Sequence, residues 1–120
     1  MIKKTLVLGA SDNPSRYSYL AIQRLRRHGH PVVAIGKRKM VVDDVQVDSE
    51  KKTFDHIHTI TLYINAAHQK EYYDYMLSLN PRRIIFNPGA ENDELSLLAQ
   101  EKKILVQHAC TLVLLSTGQY

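Results

Sequence analysis

The sequence predicts an α/β fold: a doubly wound parallel sheet of five strands with helices on both faces, in three α/β/α layers. Two observations lead to this prediction. Short runs of strand-forming apolar residues alternate along the chain with longer segments whose apolar residues recur at helical spacing. Strands that alternate with helices form parallel sheets, because each crossover returns the chain to the same edge through a right-handed connection.

The first third of the chain has the pattern of a strand, a turn, a helix and a second strand. Residues 5–8 are a short apolar run that stops at Gly9, as a buried parallel strand would. Residues 17–28 place apolar side chains at helical spacing and precede a glycine, which favours a helix end there. Residues 31–35 are predicted to form the second buried strand.

The rest of the chain repeats the alternation. Residues 58–64 predict a third strand, and Asn65 can cap a helix that runs through Leu79. Residues 83–86 and 104–106 predict the last two strands. The helix between them has Asn92 or Asp93 as its cap and covers residues 95–102.

Two further segments fall outside the five strands. Residues 40–47 predict two short extended pieces about the polar pair Asp43 and Asp44, which we interpret as a small flap beside the core sheet. Residues 110–115 form an apolar tail expected to pack on the sheet. Together these elements predict a Rossmann-like fold, in which ligands bind beyond the carboxyl ends of the strands where the strand order reverses.

Length and composition predict one globular domain over residues 1–120. The chain has 44% hydrophobic residues and a mean hydropathy of -0.28. Residues 1–4 lead directly into a strand with no apolar leader, and the apolar runs are short, so we expect a cytoplasmic protein without a membrane association. The single cysteine, Cys110, fits a reducing compartment, and no Cys/His grouping predicts a metal site.

The charge balance favours a phosphorylated small molecule over nucleic acid. Lys and Arg number 16 against 12 Asp and Glu, giving a formal charge of +4. Such an excess attracts either kind of ligand. The basic residues lie in short separate groups rather than in one stripe interleaved with aromatic residues, so no nucleic-acid partner is expected.

The turn after the first strand is a candidate phosphate-binding loop. The dinucleotide fingerprint places glycines at three positions, occupied here by Gly9, Ser11 and Pro14. Ser11 adds a hydroxyl donor, Pro14 pre-sets a helical entry, and Arg16 can add a bidentate charge-assisted contact. The alternative interpretation is an ordinary turn in which a Ser or Asp caps the helix.

The loop after the second strand narrows the class of ligand. NAD-binding folds place a carboxylate there for the ribose hydroxyls, whereas this chain has the three cations Lys37, Arg38 and Lys39. Cations at this position favour a ribose that carries its own phosphate, as in coenzyme A and NADP. The alternative is a solvated basic turn.

The first turn, residues 9–18, together with residues 87–92 and Cys110 after the last strand, resembles the small stand-alone CoA-binding proteins. These are similar to the N-terminal CoA-binding domain of the succinyl-CoA synthetase alpha subunit. The likeness covers nearly the whole chain, from the first strand to about Cys110. It implies coenzyme A binding but does not imply ligase activity, because the synthetase carries its phosphorylated histidine on another domain.

The resemblance implies a role for each loop. The first turn meets the CoA phosphates, the loop after the second strand meets the adenosine end, and the loop after the third strand lies near the pantetheine arm. Gly9 and Tyr17 in the first turn, and Pro88 and Gly89 after the fourth strand, complete the predicted site. The residues implied by the resemblance are Ala10, Ser11, Asn13, Pro14, Arg16 and Ser18, then Lys37 and Arg38, then Ile64, Asn65 and Ala66.

No arrangement of residues predicts catalysis. His108 and Cys110 could form a reactive pair if the chain bends between them, but a free cysteine is more often buried and inert. We therefore expect a CoA-binding or acyl-CoA-binding protein that acts as a non-catalytic sensor or carrier. The alternatives are an NADP-type nucleotide-binding enzyme or redox sensor, and an interaction module with an empty cleft; a homodimer or another protein partner stays open.

Overall fold

The computed structural model describes residues 1–120 and contains one mixed sheet flanked by helices. The strands are β1 (Thr5–Ala10), β2 (Val32–Gly36), β3 (Met40–Val42), β4 (Val45–Asp48), β5 (Thr59–Leu62), β6 (Arg83–Phe86) and β7 (Leu105–His108). The helices are α1 (Tyr17–Arg27), α2 (Ala66–Gln69), α3 (Tyr73–Ser78), α4 (Asp93–Glu101) and α5 (Thr111–Ser116), with a 3-10 turn at Lys70–Tyr72.

The strand order is β3-β4-β2-β1-β5-β6-β7, and every pairing is parallel except that of β3 with β4. The chain first builds outward from β1 to β2 and then crosses to the other side of β1 to form β5. The order therefore reverses between β1 and β5, where a Rossmann-like sheet binds its ligands.

Two apolar clusters, one on each face of the sheet, give the fold three layers. Strand β1 contributes to both because its side chains alternate: Leu6 and Leu8 face one cluster and Val7 the other. The first cluster includes Met76 of α3 and residues of α4, and the second includes Leu25 of α1 and a residue of α5. The predicted α/β/α layering is confirmed.

The sheet has seven strands, so the predicted count of five is wrong. The segment predicted as a flap forms the hairpin of β3 and β4, and β4 pairs with β2. The reason is burial: Val42, Val45 and Val47 are at most 3% exposed and join the apolar cluster beneath α1. Burying these three valines stabilises the hairpin in the sheet.

The predicted helix from Asn65 to Leu79 is divided into three pieces. Its start is confirmed, because the Asn65 side chain accepts from the backbone N–H of His68 at 3.0 Å. The chain tightens into a 3-10 turn after Gln69, and the last residue of this turn, Tyr72, has φ -105° and ψ 0° and is the N-cap of α3. None of the helices has the length and apolar character needed to cross a bilayer.

Candidate functional site

A cleft of about 660 Å³ opens at the carboxyl ends of β1, β2 and β5. Its position is the reversal point of the sheet, which matches the expected place of a ligand site. The loops that follow β1, β2 and β5 form most of its wall. The lining residues are Leu8, Gly9, Ala10, Ser11, Asp12, Arg16, Tyr17, Ser18, Ile35, Gly36, Lys37, Arg38, Met40, Tyr63, Ile64, Asn65, His68, Tyr72 and Pro88.

Internal hydrogen bonds hold the turn between β1 and α1. The Ser11 hydroxyl accepts from the Asn13 backbone N–H at 3.1 Å. The Asn13 side-chain oxygen accepts from both the N–H and the hydroxyl of Ser15, at 3.0 and 2.8 Å. These bonds fix the turn in the manner of an Asx motif. Asn13 is exposed, and it stabilises the turn without lining the cleft.

The start of α1 is exposed to the cleft without a cap of its own. Arg16 is the N-cap residue and makes no side-chain capping bond, and the first turn of the helix contains no acidic residue. A helix N-terminus concentrates unpaired N–H groups and partial positive charge, so it stabilises a bound anion. Arg16 and Ser18 line the cleft beside these groups, and so does Tyr17, which is 66% exposed.

The end of β2 approaches the end of β1 very closely. A Cβ atom on Gly36 would lie 2.5 Å from the carbonyl oxygen of Ala10, a distance that no side chain tolerates. The register between the two strands shifts at the same point, between Leu8 and Ala10. This contact brings the β2 loop against the first turn, so that Lys37 and Arg38 line the same cleft.

An ion pair joins these two loops across the cleft. Nη2 of Arg38 donates to both carboxylate oxygens of Asp12, at 2.8 and 2.9 Å. The sequence predicts cations alone at the end of the second strand, and Asp12 is not among the predicted site residues. The structure corrects this prediction, because the first turn places the Asp12 carboxylate beside Arg38. Lys37 makes no ion pair in the structure.

One buried side chain joins the two loops on the far side of the cleft. Gln69 is fully buried, and its amide nitrogen donates to the carbonyl oxygens of Ile64 at 2.8 Å and Ala90 at 2.7 Å. The Asn92 amide donates in turn to the Gln69 side-chain oxygen at 2.9 Å and to the Tyr73 hydroxyl at 2.8 Å. The loops after β5 and β6 are therefore held together by fully satisfied polar groups.

Asn87 makes a second buried connection below Pro88. Its amide nitrogen donates to the Thr61 hydroxyl at 2.7 Å and to the Leu62 carbonyl at 2.9 Å, and its oxygen accepts from the Thr111 N–H at 2.8 Å. These bonds link β5, the loop after β6 and the start of α5. Pro88 is thereby placed in the cleft wall.

Tyr63 lines the cleft, although its hydroxyl is buried. Burial raises the pKa of this phenol well above its ordinary value, so the group stays neutral. The hydroxyl has no hydrogen-bond partner, while the nearby hydroxyls of Thr61 and Thr111 bond to each other at 2.8 Å. Side chains alternate between the two faces of the sheet along β5, so Tyr63, the next residue, lies on the other face from Leu62. This alternation is the sequence signal for Tyr63.

Of the fifteen predicted site residues, eleven line the cleft and four do not. The eleven are Gly9, Ala10, Ser11, Arg16, Tyr17, Ser18, Lys37, Arg38, Ile64, Asn65 and Pro88. The four outside its wall are Asn13, Pro14, Ala66 and Gly89.

Eight lining residues are missing from the prediction. His68 and Tyr72 follow Asn65 at helical spacing, and this spacing is the sequence signal for both. Tyr72 is half-buried, so it serves the core and the cleft together. The others are Leu8, Asp12, Ile35, Gly36, Met40 and Tyr63.

His108 and Cys110 lie at the end of β7, away from the cleft wall. The His108 ring is stacked on Phe86 with 5.2 Å between ring centres. Cys110 is half-buried and precedes α5 as its N-cap residue, without a side-chain capping bond. The two side chains make no hydrogen bond to each other.

Comparisons with known proteins agree with this geometry. A family model described as CoA binding domain matches residues 3–116. Among solved structures, an uncharacterized protein is 44% identical with a TM-score of 0.97, over 100% of this chain and 99% of its own. No curated protein matches the sequence.

Two more distant structures share the fold. A hypothetical protein from Pyrococcus horikoshii OT3 is 23% identical with a TM-score of 0.83, over 93% of this chain and 80% of its own. The cell-free ID.343 protein from Thermus thermophilus is 19% identical with a TM-score of 0.85, over 99% and 91%. The family match spans nearly the whole chain, cleft included, and the chain therefore belongs to the CoA binding domain family.

Proposed function

We propose that residues 1–120 act as one unit that binds coenzyme A or an acyl-CoA in the cytoplasm, as a non-catalytic carrier or sensor. The observation that carries this proposal is the meeting, in one cleft, of an uncapped helix N-terminus with cations from two different loops. Each of these features matches a separate part of the ligand. Family membership supports coenzyme A over other nucleotides.

The pyrophosphate is assigned to the start of α1. Its charge is complemented there by the first-turn N–H groups and by the Arg16 guanidinium, which can donate two parallel bonds to phosphate oxygens. Ser11 lines the same cleft and can donate its hydroxyl to a phosphate oxygen. Because the first turn of α1 has no acidic side chain, nothing within the helix competes for this position.

The phosphorylated ribose is assigned to the loop after β2. Lys37 and Arg38 both line the cleft, and the contact between Gly36 and Ala10 sets their loop beside the first turn. A 3'-phosphate placed here would lie within reach of both cations. This assignment explains why the chain has cations where a ribose with free hydroxyls would favour a carboxylate alone.

The pantetheine arm is assigned to the far wall. Ile64, Asn65 and Pro88 line the cleft there and combine apolar surface with an amide. An arm of this chemistry alternates apolar segments with amide groups, which such a wall can match. Asp12, Arg16, Lys37 and Arg38 are the charged side chains that line the cleft, and the contact observed among them is the ion pair of Asp12 with Arg38. This favours a binding role.

The direct test is calorimetric titration of the intact protein with CoA, dephospho-CoA, adenosine 3',5'-bisphosphate and NADP, with thermal stabilisation as a second readout. We expect CoA and the bisphosphate to bind more tightly than dephospho-CoA, and NADP to bind weakly. Tighter binding of NADP would support a dinucleotide enzyme or redox sensor instead. The absence of heat and stabilisation with all four would support an interaction module with an empty cleft.

Two matched charge reversals test whether coenzyme A binds at the start of α1. Arg16→Glu places a repelling charge at the start of α1, whereas Arg24→Glu makes the same change at the other end of the helix. We expect Arg16→Glu to weaken CoA at least tenfold and Arg24→Glu to leave it within about twofold. Equal losses would show that the general charge of the protein, and not this corner, attracts the ligand. Mass spectrometry of co-purified ligand would identify the acyl group and separate a carrier from a sensor of free CoA.

A further inference from the structure

The contact between Asp12 and Arg38 places a carboxylate beside the cations of the proposed phosphate site. Asp12 lies in the turn that receives the pyrophosphate, and Arg38 lies in the loop assigned to the ribose. We propose that Asp12 competes with the ligand for Arg38 and thereby sets how strongly the site prefers a phosphorylated ribose. This inference rests on the proposed function, and it concerns the selectivity of the same site.

The geometry leaves Arg38 only partly engaged. A single nitrogen, Nη2, makes both contacts with Asp12, and the Arg38 side chain is 64% exposed. The donors on Nη1 and Nε make no hydrogen bonds within the chain. Both edges through which a guanidinium binds an anion in bidentate fashion include Nη2, so a phosphate can bind Arg38 in this way only by displacing Asp12 from Nη2.

The ion pair is also weak enough for a ligand to replace. Both side chains are solvent-accessible, at 64% and 39%, and exposed ion pairs contribute little because water screens them. A phosphate monoester carries nearly two negative charges and three acceptor oxygens, so it outcompetes one carboxylate for the same cation. Binding of CoA would therefore break the Asp12 contact, at a cost that lowers the observed affinity.

A ligand without the extra phosphate meets the opposite situation. A ribose with free hydroxyls can donate to the Asp12 carboxylate while Arg38 keeps its contact. The pair thus presents a cation to a phosphate and an acceptor to a hydroxyl. Asp12 narrows the difference in affinity between CoA and dephospho-CoA, and Arg38 widens it.

The test measures the ratio of the dissociation constants of dephospho-CoA and CoA in Asp12→Asn, Arg38→Gln and the double variant. Asp12→Asn keeps the shape and an acceptor oxygen but removes the charge. We expect it to tighten CoA about three- to tenfold with little change for dephospho-CoA, so that the ratio rises. Arg38→Gln should lower the ratio toward one.

The double variant separates competition for Arg38 from simple repulsion. If Asp12 acts through Arg38, its removal should change CoA binding less than twofold once Arg38 is absent. The same tightening with and without Arg38 would show that Asp12 merely repels the ligand, which overturns the proposal. A lower ratio in Asp12→Asn would overturn it as well.

Asp44→Asn is the matched control, because Asp44 pairs with Arg26 at 2.7 Å and neither residue lines the cleft. We expect this variant to keep the wild-type ratio, and melting temperatures should show all variants folded. If wild-type protein binds both ligands and the ratio is the same in Asp12→Asn, the role of Asp12 is refuted while the proposed function stands. If wild-type protein binds neither ligand, the proposed function itself fails.

Discussion

Gly9 lies directly against the main chain of Tyr63. A Cβ atom on Gly9 would stand 2.9 Å from the carbonyl carbon and oxygen of Tyr63 and 2.7 Å from Cγ2 of Ile64. The backbone of Gly9 also has φ 95°, which L side chains rarely adopt. The floor of the cleft, where β1 meets the loop after β5, therefore has no room for a side chain at this position.

Gly9→Ala should be strongly destabilising, and Gly89→Ala separates its two causes. Gly89 has nearly the same φ, 92°, but a Cβ there would meet nothing within 4 Å. We expect Gly89→Ala to cost about 1–2 kcal/mol from backbone strain. Gly9→Ala should cost about 1–3 kcal/mol more because it must also displace main chain. Urea unfolding of both variants measures the difference, and equal costs would contradict the close contact.

Asn87→Ala should destabilise the protein far more than Asn65→Ala. Asn87 is 2% exposed, and its removal leaves the Leu62 carbonyl and the Thr111 N–H buried without a partner. We expect a loss of about 2–4 kcal/mol in the free energy of unfolding. Asn65 is an exposed helix cap, whose loss should cost about 1 kcal/mol. Denaturant unfolding compares the two, and similar losses would contradict the role of Asn87.

Lys37→Ala should weaken CoA binding, whereas Lys39→Ala should not. The two lysines lie in one exposed loop and differ in that Lys37 lines the cleft and Lys39 does not. We expect about a three- to tenfold loss for Lys37→Ala, and less than twofold for Lys39→Ala. Titrations at two salt concentrations should also show a weaker salt dependence for Lys37→Ala alone. The assignment of the ribose phosphate to this loop is wrong if both variants behave alike.

Stability should fall as the pH drops from about 7 toward 5, partly because of His30. Burial, together with the nearby charges of His28 and Lys3, holds the pKa of His30 below its ordinary value of 6.5. The unfolded chain then takes up a proton first, so this contribution is complete above the ordinary pKa and is lost as the pH falls through the folded one. Protonation also removes the acceptor for the Lys3 N–H, which donates to Nδ1 at 3.0 Å.

His30→Asn tests this origin of the pH dependence. The asparagine oxygen can replace Nδ1 as acceptor but does not titrate in this range. We expect a flatter dependence of the unfolding free energy between pH 7 and 5. His56→Asn, at an exposed position that is not among the charges acting on His30 or His58, should keep the wild-type slope. His58 contributes in the same direction, because burial and Arg83 lower its pKa too, so the slope should shrink without vanishing.

Most of the fold follows from local patterns in the sequence. Strand β6, the fourth strand of the prediction, has the predicted bounds of residues 83–86, and α1 begins at Tyr17 as predicted. Both segments have a strong period and clear end signals, and burial reinforces what the local pattern favours. The first strand is longer than predicted, because it continues through Gly9 to Ala10, which still pairs with Gly36.

The missed features depend on contacts between distant residues. Residues 40–47 form sheet strands because three valines are covered by α1, and the length of each piece alone does not reveal this. Asp12 and Arg38 are 26 positions apart and meet only because Gly36 permits the close contact with Ala10. When the first turn is considered alone, the negative charge of Asp12 argues against a role for this residue in binding an anion. Its importance appears only when both loops are placed together.

The Gln69 amide fastens the loops after β5 and β6 to each other, so the two should move as a single body. Because this side of the cleft is already ordered, ligand binding should cost little conformational entropy there. The adaptable side is then the exposed pair of loops held by Asp12 and Arg38. Hydrogen exchange should accordingly slow on binding in residues 11–16 and 37–39, with little change around Ile64 and Ala90.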